Sequence, residues 1–298
     1  MLPKYKGMYT SAHPLLNGDP ESGVTIHKID NGIDTGEIIF QRKFSIDIED
    51  TAESLYFKYL DNGIKLFTEN ADNLINKKYT SFKQNAYMSS YFSKDSIDYK
   101  NLKINFKKTA FEIHNQFRAF NFRNYQLPKF ENWNIIKTKI TNEKSIYKPG
   151  TIIIEDKQSF LIATVVYDLE LKKDYYPLLW ESARNNNLEN LIVALKNIEM
   201  VDLRNNKGWN ALVIACYEGS YEAVIALIEA GANPSTTNYK GTSALMYAFD
   251  FYTRSSDLTI FKYLLNSGAD KSSKDYKNKS LVDYLQERSY EELMCFLT

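Results

Sequence analysis

The sequence of 298 residues predicts three successive parts: an α/β part, a small β-rich part and an all-α repeat part. Three observations predict this order. Strand-like runs and one long amphipathic helix come first, β-branched and aromatic runs follow, and a self-similar segment fills the end of the chain. We place the boundaries at 1–79, 80–175 and 176–298.

The first part is predicted from two strands and a helix. Residues 24–29 and 37–44 are predicted as strands, and the turn-rich segment 30–36 joins them. Asp50 and Glu53 predict a capping box that opens a long helix ending near Asn76. The apolar face of this helix is predicted to consist of Leu55, Tyr59, Ile64, Phe67, Ala71 and Leu74.

The second part is predicted to be mostly β. The runs 152–154 and 160–167 predict a hairpin, and 137–140 predicts a further strand. Thr109 and Glu112 form a capping box that starts one helix, with Ile113, Phe117 and Phe120 as its apolar stripe. Pro128 ends that segment.

The third part contains an internal repeat. Gly208 and Gly241 are 33 positions apart and open equivalent segments, whereas the helix ends before Gly231 and Gly268 are 37 apart. An insertion of about four residues near 251–257 explains the difference. The pattern resembles the ankyrin repeat, with a degenerate first unit over 176–203 and an atypical cap over 278–297. We predict that Leu179, Ala183, Leu188 and Leu195 form the core of the first unit.

Composition excludes several classes of protein. Lys plus Arg and Asp plus Glu both number 37, which argues against a protein that mainly binds nucleic acid. Cys216 and Cys295 are too few for a disulfide framework and lack metal-site spacing, so we expect no metal; Cys216 is expected in the core. The apolar run 160–167 is far shorter than the roughly 18–20 residues that span a bilayer. We therefore expect a cytoplasmic protein without a membrane span.

Three motifs near the N-terminus are informative together. They are Leu2-Pro3-Lys4-Tyr5-Lys6-Gly7, then Gly23-Val24-Thr25-Ile26-His27, then the acidic loop that ends in Asp34-Thr35-Gly36. In this order and at these separations they resemble the folate-dependent formyltransferases. The segments 91–92 and 117–120, with Pro128, are similar to the second domain of the amino-sugar branch of that family. The first part would then be a partial Rossmann-like formyltransferase domain.

The resemblance implies a reaction and a set of site residues. A formyl group moves from 10-formyltetrahydrofolate to a primary amine, a step that needs a proton acceptor and an oxyanion donor. Asp34 matches the catalytic Asp of the family, and His27 matches a strand His with a supporting role. The loop that cradles the pterin ring corresponds to Ile29, Asp30, Asn31, Gly32 and Ile33.

The catalytic Asn and His of the family have no counterpart in this sequence. They belong to an Asn-x-His-x-Ser segment that would fall immediately before Leu2-Pro3. Neither His13 nor His114 matches the missing His. We therefore expect the sequence to be the C-terminal part of a longer reading frame and to be inactive alone.

Four further residues are candidates for substrate binding. Tyr9, Tyr91 and Arg118 are candidates for the acceptor pocket. Trp209 lies in a turn of the repeats, where it either stacks on a planar ligand such as a nucleotide base or packs on its neighbours, the reading we favour. Taken alone, each of three site residues has a structural explanation that is as good as the functional one or better. Asp34 would be a turn residue, His27 a structural residue of its strand, and Asp30 a cap of the loop.

Three functions follow from these features. The leading hypothesis is N-formylation of a nucleotide-linked amino sugar in the synthesis of bacterial surface polysaccharide such as O-antigen, because neutral charge and a short second domain disfavour a tRNA substrate. The second is an ankyrin interaction module with a decayed enzyme domain, and the third is a methionyl-tRNA-type formyltransferase. A homodimer, and a ligand or protein bound through the repeats, remain options.

Overall fold

The computed structural model describes residues 1–297, which divide into two compact units with the boundary between Lys173 and Asp174. The first unit is α/β and then β-rich, and the second is helical, as predicted from the sequence. Within the first unit, the predicted boundary between residues 79 and 80 stays a prediction.

The first unit begins with short elements and a two-stranded antiparallel ribbon. Its first elements are β1 (Lys6–Gly7), α1 (His13–Asn17), β2 (Glu21–His27), β3 (Ile38–Ser45) and α2 (Ala52–Ile75). Strands β2 and β3 pair antiparallel from Glu21 opposite Ser45 to His27 opposite Ile38. The predicted strand 24–29 therefore ends two residues early, which leaves Ile29 in the loop.

The start of α2 differs from the prediction. Thr51, with extended backbone, is the N-cap, and its side chain accepts from the Ser54 N–H while the Ser54 hydroxyl accepts from the Thr51 N–H. Asp50 lies one residue too early to cap. Its carboxylate instead accepts hydrogen bonds from Lys58 Nζ and the Ser54 hydroxyl.

The apolar face predicted for α2 is only partly buried. Leu55 is fully buried, but Ile64 and Phe67 are 67% and 58% exposed. The physical reason is that, among the described residues, β2 and β3 pack along one side of the helix only. Periodicity identified the helix but not which stripe faces a partner.

The rest of the first unit is built around α3 and a five-stranded sheet. After a 3₁₀ turn (Ala86–Met88), the elements are β4 (Tyr91–Phe92), α3 (Ala110–Ala119), β5 (Lys129–Phe130), β6 (Trp133–Lys144), β7 (Ile152–Glu155), β8 (Ser159–Ile162) and β9 (Tyr167–Lys173). Strand β4 pairs parallel with β1, and the sheet has the antiparallel order β5-β6-β9-β8-β7. The Thr109–Glu112 capping box of α3 is confirmed.

One predicted strand is two strands. The run 160–167 contains the end of β8 and the start of β9, because the chain reverses at 163–166. The Thr164 hydroxyl donates to the Tyr167 carbonyl at 2.5 Å across this reversal. Because the run is apolar without interruption, its hydrophobic pattern gives no sign of this turn.

Helix α3 connects two apolar cores. Ile113 and Phe117 pack with the sheet residues Ile135, Phe160 and Leu171. The end of the helix, at Ala119 and Phe120, packs instead against the core around α1 and the start of α2. The described residues contain no helix that is both long and apolar enough to cross a membrane.

The second unit consists of helix pairs. These helices are α4 (Tyr176–Arg184), α5 (Leu188–Leu195), α6 (Ala211–Glu218), α7 (Tyr221–Glu229), α8 (Ala244–Ser255), α9 (Thr259–Asn266) and α10 (Leu281–Glu287), followed by a 3₁₀ segment (Glu291–Phe296). Helix α8 is longer than α6 at the place where the insertion was predicted. Gly208 and Gly241 have φ of +79° and +74°, as their turn positions require.

The core of the second unit confirms most predicted positions. Leu179, Ala183 and Cys216 are buried, and burial raises the pKa of the Cys216 thiol. The prediction for Leu188 was wrong, because this first residue of α5 is 40% exposed. Leu191 and Ala194, which point inward one turn later, are the buried residues of that helix.

Candidate active site

A cavity of about 350 Å³ lies in the first unit beside the β2–β3 ribbon. Residues from the N-terminal segment, β2, the following loop and α2 line it: Met1, Leu2, Lys4, Tyr5, Thr10, Gly23, Val24, Thr25, His27, Asp34, Tyr59 and Gly63. The cavity therefore brings together the three motifs that were separate in the sequence.

Asp34 is held in this cavity by two connections. Its Oδ2 accepts a hydrogen bond from the Gly7 N–H at 2.9 Å, and its carbonyl accepts one from Gln84 Nε2 at 2.8 Å. Its φ of +55° is a strained value for a residue with a side chain. These contacts fix the carboxylate while leaving Oδ1 directed toward His27.

His27 faces the Asp34 carboxylate at the end of β2. Its Nε2 lies 3.7 Å from Asp34 Oδ1, and its Nδ1 donates to the Lys28 carbonyl at 2.8 Å. The carbonyl bond sets the tautomer, because it requires the proton on Nδ1. His27 Nε2 thus lies beside the Asp34 carboxylate, at a distance longer than a hydrogen bond.

The loop 29–34 is exposed and internally ordered. Asp30 Oδ1 accepts from the Gly32 N–H at 3.1 Å and the Thr35 hydroxyl at 2.5 Å, and these hydrogen bonds, that of Thr35 foremost, lower the pKa of Asp30. Ile29 is 96% exposed and Ile33 is 57% exposed. Within the described part of the chain, the backbone N–H groups of Ile29, Asn31 and Ile33 donate no hydrogen bond.

Sequence reasoning missed a polar cluster around Tyr5. The Tyr5 hydroxyl donates to Asp19 Oδ2 at 2.5 Å and accepts from Asn17 Nδ2 at 2.8 Å. Burial and the Asp19 bond raise the pKa of Tyr5. Tyr5 was visible only as part of a motif, and nothing in the sequence indicated its pairing with Asp19. Nothing in the sequence indicated that Gln84 donates a hydrogen bond to the Asp34 carbonyl.

Tyr9 and Tyr91 lie near β1 but do not line the cavity of Asp34. The Tyr9 hydroxyl donates to the Lys94 carbonyl at 2.9 Å, and its ring packs edge-on against Tyr99. Tyr91 pairs with Lys6 in the β1–β4 ladder and is 55% exposed. Their proposed roles in acceptor binding stay predictions.

Arg118 lies in a different cavity of about 250 Å³, which His114 also lines. Its guanidinium donates to Asn115 Oδ1 and to the carbonyls of Asp47 and Ile48. These bonds hold the segment before α2 against α3. An acceptor-binding role for Arg118 stays a prediction, and its Nε and Nη1 groups already have partners.

Trp209 lies in the second unit, between two tyrosine rings. Its ring centroid is 5.2 Å from that of Tyr217 and 4.9 Å from that of Tyr247. The side chain is half-buried, so packing accounts for part of its surface. Its role in ligand stacking stays a prediction.

Models of known protein families match segments of both units. Residues 1–70 match the family model described as formyl transferase, and residues 96–173 match the formyl transferase C-terminal domain. Residues 179–275 match ankyrin repeats in three copies.

Two of the curated relatives are methionyl-tRNA formyltransferases. That of Legionella pneumophila (strain Corby) is 31% identical over 179 residues, which are 59% of this chain and 56% of the relative. That of Coxiella burnetii (strain CbuK_Q154) is 31% identical over 165 residues, 55% of this chain and 52% of the relative. The chain spans about half the length of these relatives.

Two solved structures are more similar in sequence. The sugar 3N-formyl transferase WlaRD, crystallised with dTDP and 5-N-formyl-THF, is 50% identical with a TM-score of 0.54, covering 58% of this chain and 62% of that one. The N-formyltransferase from Helicobacter canadensis, in complex with folinic acid and dTDP-3-aminofucose, is 51% identical with a TM-score of 0.54, covering 58% and 63%.

The cavity with Asp34 and the β2–β3 ribbon lie within the first of the segments that match formyl transferase models, and the antiparallel sheet around α3 lies within the second. The chain thus contains two segments, residues 1–70 and 96–173, that match formyl transferase models, and its second unit contains ankyrin repeats at residues 179–275.

Proposed function

We propose that this chain carries part of an amino-sugar N-formyltransferase, whose donor is 10-formyltetrahydrofolate and whose acceptor is a nucleotide-linked amino sugar of bacterial surface-polysaccharide synthesis. The single observation that carries the proposal is the position of Asp34. It lies at the end of an ordered loop, bonded to Gly7 of the first motif and facing His27 of the second.

The proposed reaction assigns Asp34 a proton-transfer role. The neutral amine of the sugar attacks the formyl carbon, and the bond from that carbon to the donor nitrogen breaks. The amine loses one proton and the donor nitrogen gains one. Asp34 accepts the amine proton, and His27 lies beside it with Nε2 3.7 Å from Oδ1.

The loop 29–34 fits the donor. A pterin ring is flat and carries amide and amino groups, so it needs an apolar surface and backbone partners. The exposed side chains of Ile29 and Ile33 provide the surface. The free N–H groups of Ile29, Asn31 and Ile33 provide donors, and the bonds of Asp30 to Gly32 and Thr35 hold the loop in shape.

The choice of acceptor rests on sequence similarity and charge. The two sugar formyltransferases are 50% and 51% identical to this chain, against 31% for the two methionyl-tRNA enzymes. Zero net charge over the whole chain gives no overall positive field for a phosphate backbone. Both considerations favour a sugar over a tRNA.

We further propose that the 298 residues alone do not turn over substrate. No Asn-x-His pair occurs anywhere in them, so the oxyanion donors that the resemblance assigns to those residues are missing. The chain also spans 62% of the WlaRD chain. The competing possibility is an ankyrin interaction module whose enzyme domain has decayed. It predicts the same inactivity but no binding of the formyl donor.

Calorimetric titration separates these possibilities. We expect the purified chain to bind 5-formyltetrahydrofolate, the Asp30→Ala variant to bind at least tenfold more weakly, and the surface control Asp61→Asn to bind like the parent. Failure of the parent to bind would favour the decayed domain.

A transfer assay with 10-formyltetrahydrofolate and a dTDP-linked amino sugar is expected to give no product. Product in that assay would show that residues other than the missing Asn and His suffice. A parallel arm with methionyl-tRNA tests the third function, and specific binding of that tRNA would favour it.

A further inference from the structure

The three turns that connect the ankyrin helix pairs carry an unusual charge. We call the segments 204–209, 237–242 and 274–279 the finger loops. Their six cationic residues are Arg204, Lys207, Lys240, Lys274, Lys277 and Lys279. With Asp275 as their only acidic residue, the finger loops have a net charge of +5 in a chain whose total is zero. The finger loops therefore carry a local excess of positive charge.

The finger loops share one hydrogen-bonded turn conformation. In each, an Asn or Asp side chain accepts from the backbone N–H two residues on, as Asn238 Oδ1 does from the Lys240 N–H at 2.8 Å. The same contact occurs at Asn205 and at Asp275. The Tyr276 N–H also donates to the Lys240 carbonyl at 2.8 Å, which joins the second finger loop to the third. Partners would meet a preformed surface, which lowers the entropic cost of binding.

Two tyrosines present their rings between these cations. Tyr239 is 61% exposed and Tyr276 is 66% exposed. Arg204 Cζ lies 5.6 Å from the ring centroid of Tyr239, and Lys240 Nζ lies 5.6 Å from that of Tyr276. One side of the Tyr239 ring lies directly on Gly208, where an added Cβ would come within 2.3 Å of it. Cations and aromatic rings thus alternate from one finger loop to the next.

Most of these cations have no acidic partner. Among the described residues, Lys207, Lys240, Lys274 and Lys277 form no ion pair with a carboxylate, whereas Lys279 is paired with Glu287. The Asp275 carboxylate is itself occupied by the Tyr284 hydroxyl at 2.5 Å. An opposite charge brought by a partner would therefore meet lysines that are not already neutralised.

We propose that the finger loops bind an acidic protein segment that carries at least one aromatic side chain. Its carboxylates would pair with Lys240 and Lys277, and its aromatic ring would stack on the exposed rings of Tyr239 and Tyr276. Tyrosine rings bind protein surfaces at low entropic cost, because they have few rotatable bonds. A short acidic segment fits better than a nucleic acid. The positive field reaches only about 8 Å at physiological salt, and a long polyanion would extend over a chain that is otherwise net negative.

Fluorescence anisotropy on the full 298-residue chain tests this proposal. The probe is a fluorescein-labelled 12-residue peptide in which Glu alternates with Phe, and the matched control peptide has Gln in place of every Glu. We expect the acidic peptide to bind at 50 mM NaCl and to bind at least fivefold more weakly at 300 mM, and we expect the Gln peptide not to bind.

Variants separate the contributions of charge and ring. Lys240→Gln with Lys277→Gln should weaken binding about tenfold, while the exposed Lys196→Gln control on another surface should leave it within twofold. Tyr239→Phe with Tyr276→Phe should retain binding, and the corresponding double Ala variant should lose at least tenfold. Melting temperatures of all variants show whether the unit is still folded.

Three results would overturn the proposal. They are absence of binding by the acidic peptide, equal binding by the Gln peptide, and tighter binding of a 12-nucleotide single-stranded DNA than of the acidic peptide. Equal weakening by Lys196→Gln would also count against it, because the charge effect would then not belong to the finger loops.

Discussion

The backbone N–H of Gly7 donates to the Oδ2 atom of Asp34 at 2.9 Å, across 27 positions of the chain. Gly7 has φ of +89°, and a Cβ at this position would lie 2.3 Å from the Phe92 carbonyl oxygen. Glycine is therefore required twice here, by the backbone conformation and by the close approach of β4. Gly7 of the first motif thus positions the carboxylate of Asp34 in the third motif.

The first prediction concerns this glycine. Gly7→Ala should lower the free energy of unfolding of the first unit by about 2–4 kcal/mol, because it combines positive φ with a steric clash. Gly63→Ala in α2 is the matched control, since an added Cβ meets nothing within 4 Å. It should raise stability by about 0.5–1 kcal/mol. Urea unfolding measures both, and a Gly7→Ala protein as stable as the parent would contradict the structure.

The second prediction concerns the order of the donor loop. The Thr35 hydroxyl donates to Asp30 Oδ1, so Thr35→Val should loosen the loop without removing a charge. Affinity for 5-formyltetrahydrofolate should fall about three- to tenfold, as expected for one lost hydrogen bond to a charged group. Thr68→Val, a similar change on the exposed face of α2, should have no effect in the same titration. Equal affinity of both variants would remove the loop from the proposed donor site.

The third prediction is a pH dependence of stability that involves His114. Burial lowers the pKa of this side chain, and the nearby charge of Arg118 adds to the effect. Its Nε2 donates to the Ile48 carbonyl at 2.9 Å, a bond that opposes the lowering of the pKa without cancelling it, and its Nδ1 lies 2.6 Å from the Thr138 hydroxyl oxygen. Stability is therefore complete above the unfolded pKa of about 6.5 and falls as the pH drops below it, until the folded pKa is reached.

Urea unfolding between pH 7.5 and 5 measures this dependence. The His114 contribution to the slope should be at most about 1.4 kcal/mol per pH unit, and His114→Gln should remove it. His13, whose pKa burial also lowers, contributes with the same sign, so the variant retains part of the slope. An unchanged slope in His114→Gln would mean that this histidine does not titrate as described.

The fourth prediction separates packing from binding at Trp209. Because its ring contacts Tyr217 and Tyr247, Trp209→Ala should destabilise the repeats by about 1–3 kcal/mol. Thermal unfolding measures this loss. Titration with a dTDP-linked amino sugar then tests the ligand role. Unchanged binding in a folded Trp209→Ala protein would leave packing as the function of this side chain.

Much of the fold could be predicted from local sequence signals. The Thr109–Glu112 box, the strands of the ribbon and the repeat glycines were all predictable, because each depends on residues close together in the sequence. Predictions failed where burial decided the outcome. Leu188 and Ile64 have the right spacing for a core, but which side of a helix meets a partner depends on elements far away in the chain.

The candidate site shows the same division. The sequence by itself determined the motifs, the family resemblance and the absence of an Asn-x-His pair, because these are properties of residue type and order. Only the tertiary structure brought His27 and Asp34 to one cavity and the Gly7 N–H to the Asp34 carboxylate. It also paired Tyr5 with Asp19 and directed the Arg118 guanidinium to the backbone carbonyls before α2. The physical reason is that hydrogen bonds between distant segments depend on how the chain folds back on itself, which residue order alone does not specify.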